Sequence, residues 1–201
     1  MRVDLHVHTS ERSICAQSTE SDMIHGALAA RLDAIAITDH DWLVPPQHLE
    51  MLNAKYAPFH IFPGIEVTLD PPTNHIVVLG LQDKALESGE WSYPELHTFV
   101  RQREGFLILA HPFRWSQELG VDVETYPPDA IEVASNNTPR DAAHRIRKLA
   151  ARLKIPVLSN SDAHHTMQLG FYYNRLHRVT RDADTLFEIL RAGEFKTQGP
   201  K

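Results

Sequence analysis

Asp162-Ala163-His164 stands far along the chain from Asp4-Leu5-His6-Val7-His8, yet the two stretches carry the same chemistry. Each sets imidazole and carboxylate groups two residues apart. Between them lie Asp39-His40, Glu66, His75 and Ala110-His111-Pro112, each next to an apolar run that reads as a β-strand. Imidazole nitrogen and carboxylate oxygen are the donors that hold borderline-hard divalent cations, and strand ends can converge around one axis. Side chains two apart on a strand share a face, so His6 and His8 can grip one ion, and Asp162 and His164 repeat the arrangement. A single such pair reads equally well as core histidines with backbone partners. The full set does not, because each unpaired polar group buried with the others costs a few kcal/mol, whereas metal coordination satisfies them together.

Other residues fill supporting roles. Asp4 and Asp39 read as groups that orient ligand imidazoles rather than as ligands. Arg114, just beyond His111-Pro112-Phe113 and beside Trp115, could clamp a substrate phosphate in two-pronged fashion. Arg140, at a helix start, reads as part of a solvated face, and the remaining histidines as surface or partly buried groups, with His165 set apart only by adjoining His164. Patterns for a serine nucleophile elbow, a phosphate-binding P-loop or a Gly-X-Gly-X-X-Gly turn do not occur, which disfavours serine acyl transfer, nucleotide-driven motors and dinucleotide redox chemistry.

The elements that must position these residues alternate. Strands are expected at Val3–His8, Ala34–Thr38, Phe59–Ile65, His75–Leu81, Phe106–Ala110, Ala130–Val133 and Pro156–Ser161. Helices are expected over Thr19–Arg31 with Thr19 or Ser21 as cap, from Pro45-Pro46 to Lys55, and over Pro94–Arg103, Pro139–Lys154 and Asp182–Ala192, the last stopped by Gly193. Asp70-Pro71-Pro72-Thr73-Asn74 reads as a turn short enough to make its flanking strands an antiparallel hairpin, and Asp83–Tyr93 and Pro112–Pro128 read as irregular loops. Helices around a mostly parallel sheet are implied, and a closed barrel is preferred to an open sheet because donors come from nearly every strand.

At 201 residues and 42% hydrophobic content, one domain spanning 1–201 is expected. Lys and Arg number 20 against 26 Asp and Glu, a net charge of −6 that disfavours coating of nucleic acid or acidic membranes by bulk electrostatics. One cysteine, Cys15, excludes an internal disulfide; with no signal-peptide pattern and no apolar stretch of membrane-spanning length, a cytoplasmic location is expected.

The chain resembles the polymerase and histidinol phosphatase (PHP) family. The resemblance is carried by Asp4-Leu5-His6-Val7-His8-Thr9, Ile37-Thr38-Asp39-His40, Ala110-His111-Pro112 and Ser161-Asp162-Ala163-His164, with Gly64-Ile65-Glu66-Val67, His75-Ile76-Val77-Val78-Leu79-Gly80 and Leu190-Arg191-Ala192-Gly193 in support. It implies a distorted (β/α)7 barrel and two to three divalent ions, zinc, manganese or iron. One ion would be held by His6, His8, Glu66 and Asp162, and a second by Glu66, His75 and His111, with Glu66 bridging. The third would take His40, His164 and a residue of the loop after the first strand, where relatives supply His or Asp. Here that loop reads Ser10-Glu11-Arg12-Ser13-Ile14-Cys15, which leaves Cys15, with Glu11 in reserve, and a thiolate would tilt the site toward zinc or iron. The implied reaction is hydrolysis of a phosphoester by a metal-activated hydroxide, aided by Arg114. The expected substrate is a small phosphomonoester or a nucleotide. Trimming of an oligonucleotide from its end is the alternative enzymatic reading, and a non-catalytic metal-binding or interaction domain is the alternative of a different class.

Overall fold

The computed structural model describes residues 1–70 and 74–199, so part of the turn read across Asp70–Asn74 lies outside the described residues. In chain order the elements are β1 (Arg2–Val7), α1 (Glu20–Ala29), β2 (Ala34–Ile37), α2 (Pro46–Tyr56), β3 (His60–Thr68), β4 (His75–Leu79), α3 (Tyr93–Gln102) and β5 (Phe106–Leu109). They continue with β6 (Ala130–Ala134), α4 (Ala143–Leu153), β7 (Val157–Ser159), β8 (Tyr173–Leu176), α5 (Ala183–Arg191) and β9 (Phe195–Gln198). No helix among the described residues is long and apolar enough to cross a membrane.

Local chemistry sets several boundaries. Thr19 caps α1 by accepting from Asp22 N, Ser92 and Glu95 close a capping box on α3, and Asp182 accepts from Thr185 N at the start of α5. The helix expected from Pro139 begins its α-helical turns only at Ala143, after a 3-10 turn over Arg140–Ala142. The stretch expected to be irregular after Asp83 contains a 3-10 helix over Lys84–Ser88, started by the Asp83 side chain accepting from Ala85 N.

The strands form one sheet in the order β7-β6-β5-β4-β3-β2-β1-β8-β9. Pairs β1/β2, β2/β3, β5/β6 and β6/β7 are parallel, whereas β4 runs antiparallel to both β3 and β5, as the short connection before it requires. Beyond the end of β7 the chain returns to β1, where Val7 bridges Ala163 and His8 N donates to Ala163 O at 2.9 Å. Lower in the seam, Asn174 of β8 exchanges two hydrogen bonds of 3.0 Å with the backbone of Ser159, and Asn160 Oδ1 accepts from Leu5 N at 3.2 Å. The sheet is thereby a nearly closed, distorted barrel.

β8 and β9 were not expected. Tyr173-Asn174-Arg175-Leu176 and Phe195-Lys196-Thr197-Gln198 are rich in polar residues and lack the continuous apolar run that marks a strand covered on both faces. The asparagine at Asn174, which looks like a strand breaker, is the buried group that stitches the seam.

Side chains from the strands and from α5 fill the barrel interior: Leu5, Phe62, Val77 and Phe106 meet Leu186, Phe187 and Leu190, and Phe106 stacks on Phe187 at 5.1 Å. Each such residue contributes about 1.5–3 kcal/mol by leaving water. These apolar groups occupy the starts of the parallel strands, which leaves the opposite end, at their C-terminal edges, for polar side chains. Two outer clusters pack α1 and α2 on one flank and α3 and α4 on the other.

Candidate metal centre

The polar end of the barrel is assembled by irregularities in otherwise regular strands. β1 holds one more residue than β2 between Asp4 and Val7. Val3 and Leu5 belong to the interior core, but after this bulge Val7 joins the outer cluster, and His6 and His8 are the residues that face inward. β2 and β3 remain side by side past their regular pairing through a bridge between His40 and Glu66. His111 and Asp162 end their strands at φ 25° and 51°, a region that non-glycine residues seldom occupy and that turns their side chains into the mouth.

Four donors converge. His6 Nε2 and His8 Nε2 lie 3.1 Å apart. Glu66 Oε2 is 3.3 Å from the first and 3.2 Å from the second, and Asp162 Oδ1 is 3.4 and 3.2 Å from them. Glu66 Oε1 takes two further imidazoles, His111 Nε2 at 2.9 Å and His75 Nδ1 at 3.0 Å, while His40 Nδ1 approaches Oε2 at 3.2 Å. His164 lies against this group, its ring 4.4 Å from that of His8 and its Nδ1 3.6 Å from Asp162 Oδ1. The structure therefore gathers His6, His8, His40, Glu66, His75, His111, Asp162 and His164 at one rim.

These donors fit a cation. Glu66 Oε2 and Asp162 Oδ1 are buried and have no hydrogen-bond partner. The other nitrogen of each histidine is committed: Glu132 Oε1 accepts from His6 Nδ1 at 3.2 Å, and Ser13 Oγ, which donates to Asp39 Oδ1 at 2.8 Å, accepts from His8 Nδ1 at 3.2 Å. Both Nε2 lone pairs are thereby aimed at the same point as two orphaned oxygens. Donors about 2.0–2.1 Å from a tetrahedral zinc stand about 3.3–3.4 Å from one another, which is close to the separations seen here. The donors also group by proximity as His40, Glu66 and His75, and as His8, His40 and His164.

Glu132 is a residue that sequence reasoning missed. It is fully buried, holds His6 through one oxygen and His111 N through the other at 3.0 Å, and accepts from Asn160 Nδ2 at 3.2 Å. A lone acid inside the apolar run Ala130-Ile131-Glu132-Val133 was its only signal. Asp4 does not orient an imidazole as expected; its Oδ1 accepts from Ser161 N at 2.9 Å and lies 3.4 Å from His6 N, so it ties backbones across the seam. Asp39 acts one atom further out than expected, through Ser13, while also accepting from Thr9 N at 2.6 Å and Arg12 Nε at 2.8 Å.

Cys15 is not brought into the cluster. It is exposed, it belongs to none of the donor groups, and burial together with the nearby carboxylates raises its thiol, which opposes the thiolate a ligand requires. Glu11 is also engaged elsewhere, its carboxylate accepting from Glu20 N at 2.9 Å at the start of α1. The loop after β1 shapes the rim through Ser13 and supplies no further donor. Among the described residues Arg114 makes no ion pair with the cluster; its guanidinium lies 4.9 Å from the centroid of Trp115, whose ring is in turn 4.8 Å from His75 and 5.4 Å from His111. Arg114 also lines a cavity of about 360 Å³ with His144 and Arg145.

The charges of the cluster balance internally. Burial opposes protonation of His6 and His8, but the carboxylates of Asp162 and Glu66 outweigh it, so His6 is held well above its ordinary value and His8 is raised to about 9. Despite burial, His6 and the other imidazoles hold Glu66 well below the carboxylate range, and Asp162 is likewise lowered. At His40 burial, helped by the neighbouring imidazoles, outweighs Glu66 and lowers the ring to about 4, and at His164 burial and His8 likewise outweigh Asp162 and lower it. Burial also raises Asp4 to about 7.

The nearly closed β/α barrel thus carries a buried cluster of His, Glu and Asp donors at its C-terminal strand ends. Residues 141–195 match the model of the PHP-associated family. The fold is similar to that of PsfC from Pseudomonas syringae PB-5123, with a TM-score of 0.71 at 22% identity, covering 100% of this chain and 91% of that one. It is similar at a TM-score of 0.71 and 16% identity to a two-domain Bacteroides vulgatus protein containing a predicted PHP-like metal-dependent phosphoesterase. That match covers 99% of this chain but only 64% of the other. An amidohydrolase from Chromobacterium violaceum, with sulfate bound and no metal, matches at a TM-score of 0.66 and 18% identity over 98% of each chain. No curated protein matches the sequence. Its four motifs, the match in its C-terminal part and its barrel make the chain similar to PHP-type domains.

Proposed function

We propose that this chain is a metal-dependent phosphoesterase acting on a small phosphomonoester or nucleotide. The observation that carries the reading is the convergence of Glu66 Oε2 and Asp162 Oδ1, both buried without a hydrogen-bond partner, on His6 Nε2 and His8 Nε2 at 3.2–3.4 Å, the two nitrogens being 3.1 Å apart. His6, His8, Glu66 and Asp162 would hold one divalent ion. Glu66 also faces His40, His75 and His111, a donor set suited to a second. Bound cations would supply a water acidic enough to attack near neutral pH and positive charge for the phosphoryl oxygens.

The chain's own residues prepare the site. Glu132 and Ser13 accept from the Nδ1 atoms of His6 and His8, so that Nε2 is the nitrogen from which each ring yields its proton to a cation. Asn137 Nδ2 donates to Asp162 Oδ2 at 2.7 Å and fixes that carboxylate, leaving Oδ1 free. His40 and His164 stay neutral at pH 7 and offer lone pairs rather than charge. Arg114, stacked on Trp115 beside His144 and Arg145, would receive an anionic or polar part of the substrate, and Trp115, 54% exposed, covers the imidazoles of His75 and His111.

The test is turnover of p-nitrophenyl phosphate against bis(p-nitrophenyl) phosphate with manganese, zinc or iron. Metal-dependent cleavage of the monoester is expected. Cleavage of the diester alone would favour the nuclease reading, and no turnover with any of the ions would favour a non-catalytic domain.

A further inference from the structure

One cavity of the described residues lies away from the metal centre. It measures about 380 Å³, ligand-sized, and lies on the outer side of the barrel seam, between the start of α4 and β9. Ser135, Thr138, Arg140, Arg147, Tyr172 and Gln198 are among its walls, and no acidic side chain lines it. Its position outside the sheet follows from β6: Glu132 faces the interior, whereas Val133 belongs to the outer cluster packed under α4 and also lines the cavity.

Two arginines line this space and no acidic residue does. Arg140, Ala143 and Arg147 follow one another at intervals of three and four residues, which places them on one side of the helical segment, and all three line the cavity. Among the described residues neither arginine has a side-chain hydrogen bond or ion pair, in contrast to Arg12, Arg101, Arg145 and Arg191, each of which has a partner. In a chain with a net charge of −6, two unpaired cations converging on a cavity free of acids run against the average. An anion between them would gain charge-assisted bonds from both.

We propose that the seam cavity is a second anion-binding site, separate from the metal centre, which takes a phosphate-type oxyanion between Arg140 and Arg147. Its wall is the segment that also orients a metal-centre carboxylate: Ser135 Oγ accepts from Asn137 N and Thr138 N, while the side chain of Asn137 reaches Asp162. An anion seated there bears on the position of Asp162 through a single residue.

The test is an amide chemical-shift titration of the full chain, as purified, with inorganic phosphate, which resolves the two sites in one experiment. Saturable shifts are expected at Ser135, Thr138, Ala143 and Gln198 at up to about 10 mM phosphate. Arg140→Ala with Arg147→Ala should weaken them about tenfold to hundredfold, while any shifts at His6 and His164 persist. Both arginines are exposed, so the remaining spectrum should match that of the wild type and report an intact fold. The lysine pair, R140K with R147K, should retain weakened binding. No saturable shift at the seam, or the same affinity in the alanine pair, would overturn the proposal. Either result leaves the reading of the metal centre untouched.

Discussion

Cation binding at His6, His8, Glu66 and Asp162 should release protons, and their number can be worked from the charges of the cluster. With no cation, the two ionised carboxylates are balanced by protons on His6 and His8, both held above their ordinary value of 6.5. A cation bound at the two Nε2 atoms must displace both protons. Raising His8 to about 9 means that at pH 7 its proton lies two units below the midpoint. Each unit corresponds to about 1.4 kcal/mol, so displacing that proton costs about 3 kcal/mol, roughly a hundredfold in apparent affinity. With two protons displaced, the apparent association constant should rise by up to about a hundredfold per pH unit between pH 6 and 8. Calorimetric titration of zinc or manganese into metal-stripped protein, in buffers of different ionisation enthalpy at pH 7, gives the proton count directly. About two protons for the first cation are expected. A count near zero, with binding independent of pH, would refute both the charge balance and the identity of the ligands.

The same shift bears on stability. In the metal-free chain His8 contributes stability in full below pH 6.5, and this is lost as pH climbs to about 9, so thermal melts of stripped protein should drop across that window. Glu132→Gln removes the charge behind His6 and sets an amide against His111 N; metal affinity should fall about tenfold to a hundredfold with the fold retained, as titration and circular dichroism would show. Cys15→Ser should leave metal content unchanged, whereas loss of one ion by elemental analysis would restore the thiol as a ligand. Gly64→Ala places a Cβ 2.8 Å from Thr38 Cγ2 and 3.2 Å from Ile37 O, beside the strand that delivers Glu66. Overpacking of about 1–3 kcal/mol is expected in denaturant melts.

Much of the donor set was legible because its residues sit at the ends of apolar runs, where the two-residue strand period states which side chains share a face. His6 with His8, and Asp162 with His164, were read in this way. The bulge in β1 was not legible, since period alone would have kept Leu5 and Val7 on one face. Glu132 was hidden because a strand pattern tolerates one acid without revealing whether an imidazole lies across the barrel. Cys15 and Glu11 were weighed by their distance along the chain from His8, but the loop turns on Asp39, Thr9 and Ser13, and neither side chain reaches the other donors. β8 and β9 eluded a reading built on continuous apolar runs because they form the polar seam, where Asn174 rather than a hydrophobe closes the sheet.

The most direct test is an anomalous-scattering map from crystals of the full chain grown with zinc or manganese. A peak within about 2.0–2.3 Å of His6 Nε2, His8 Nε2, Glu66 and Asp162 together is the result expected of this cluster. Crystals saturated with either ion that show no peak among these four side chains would contradict it.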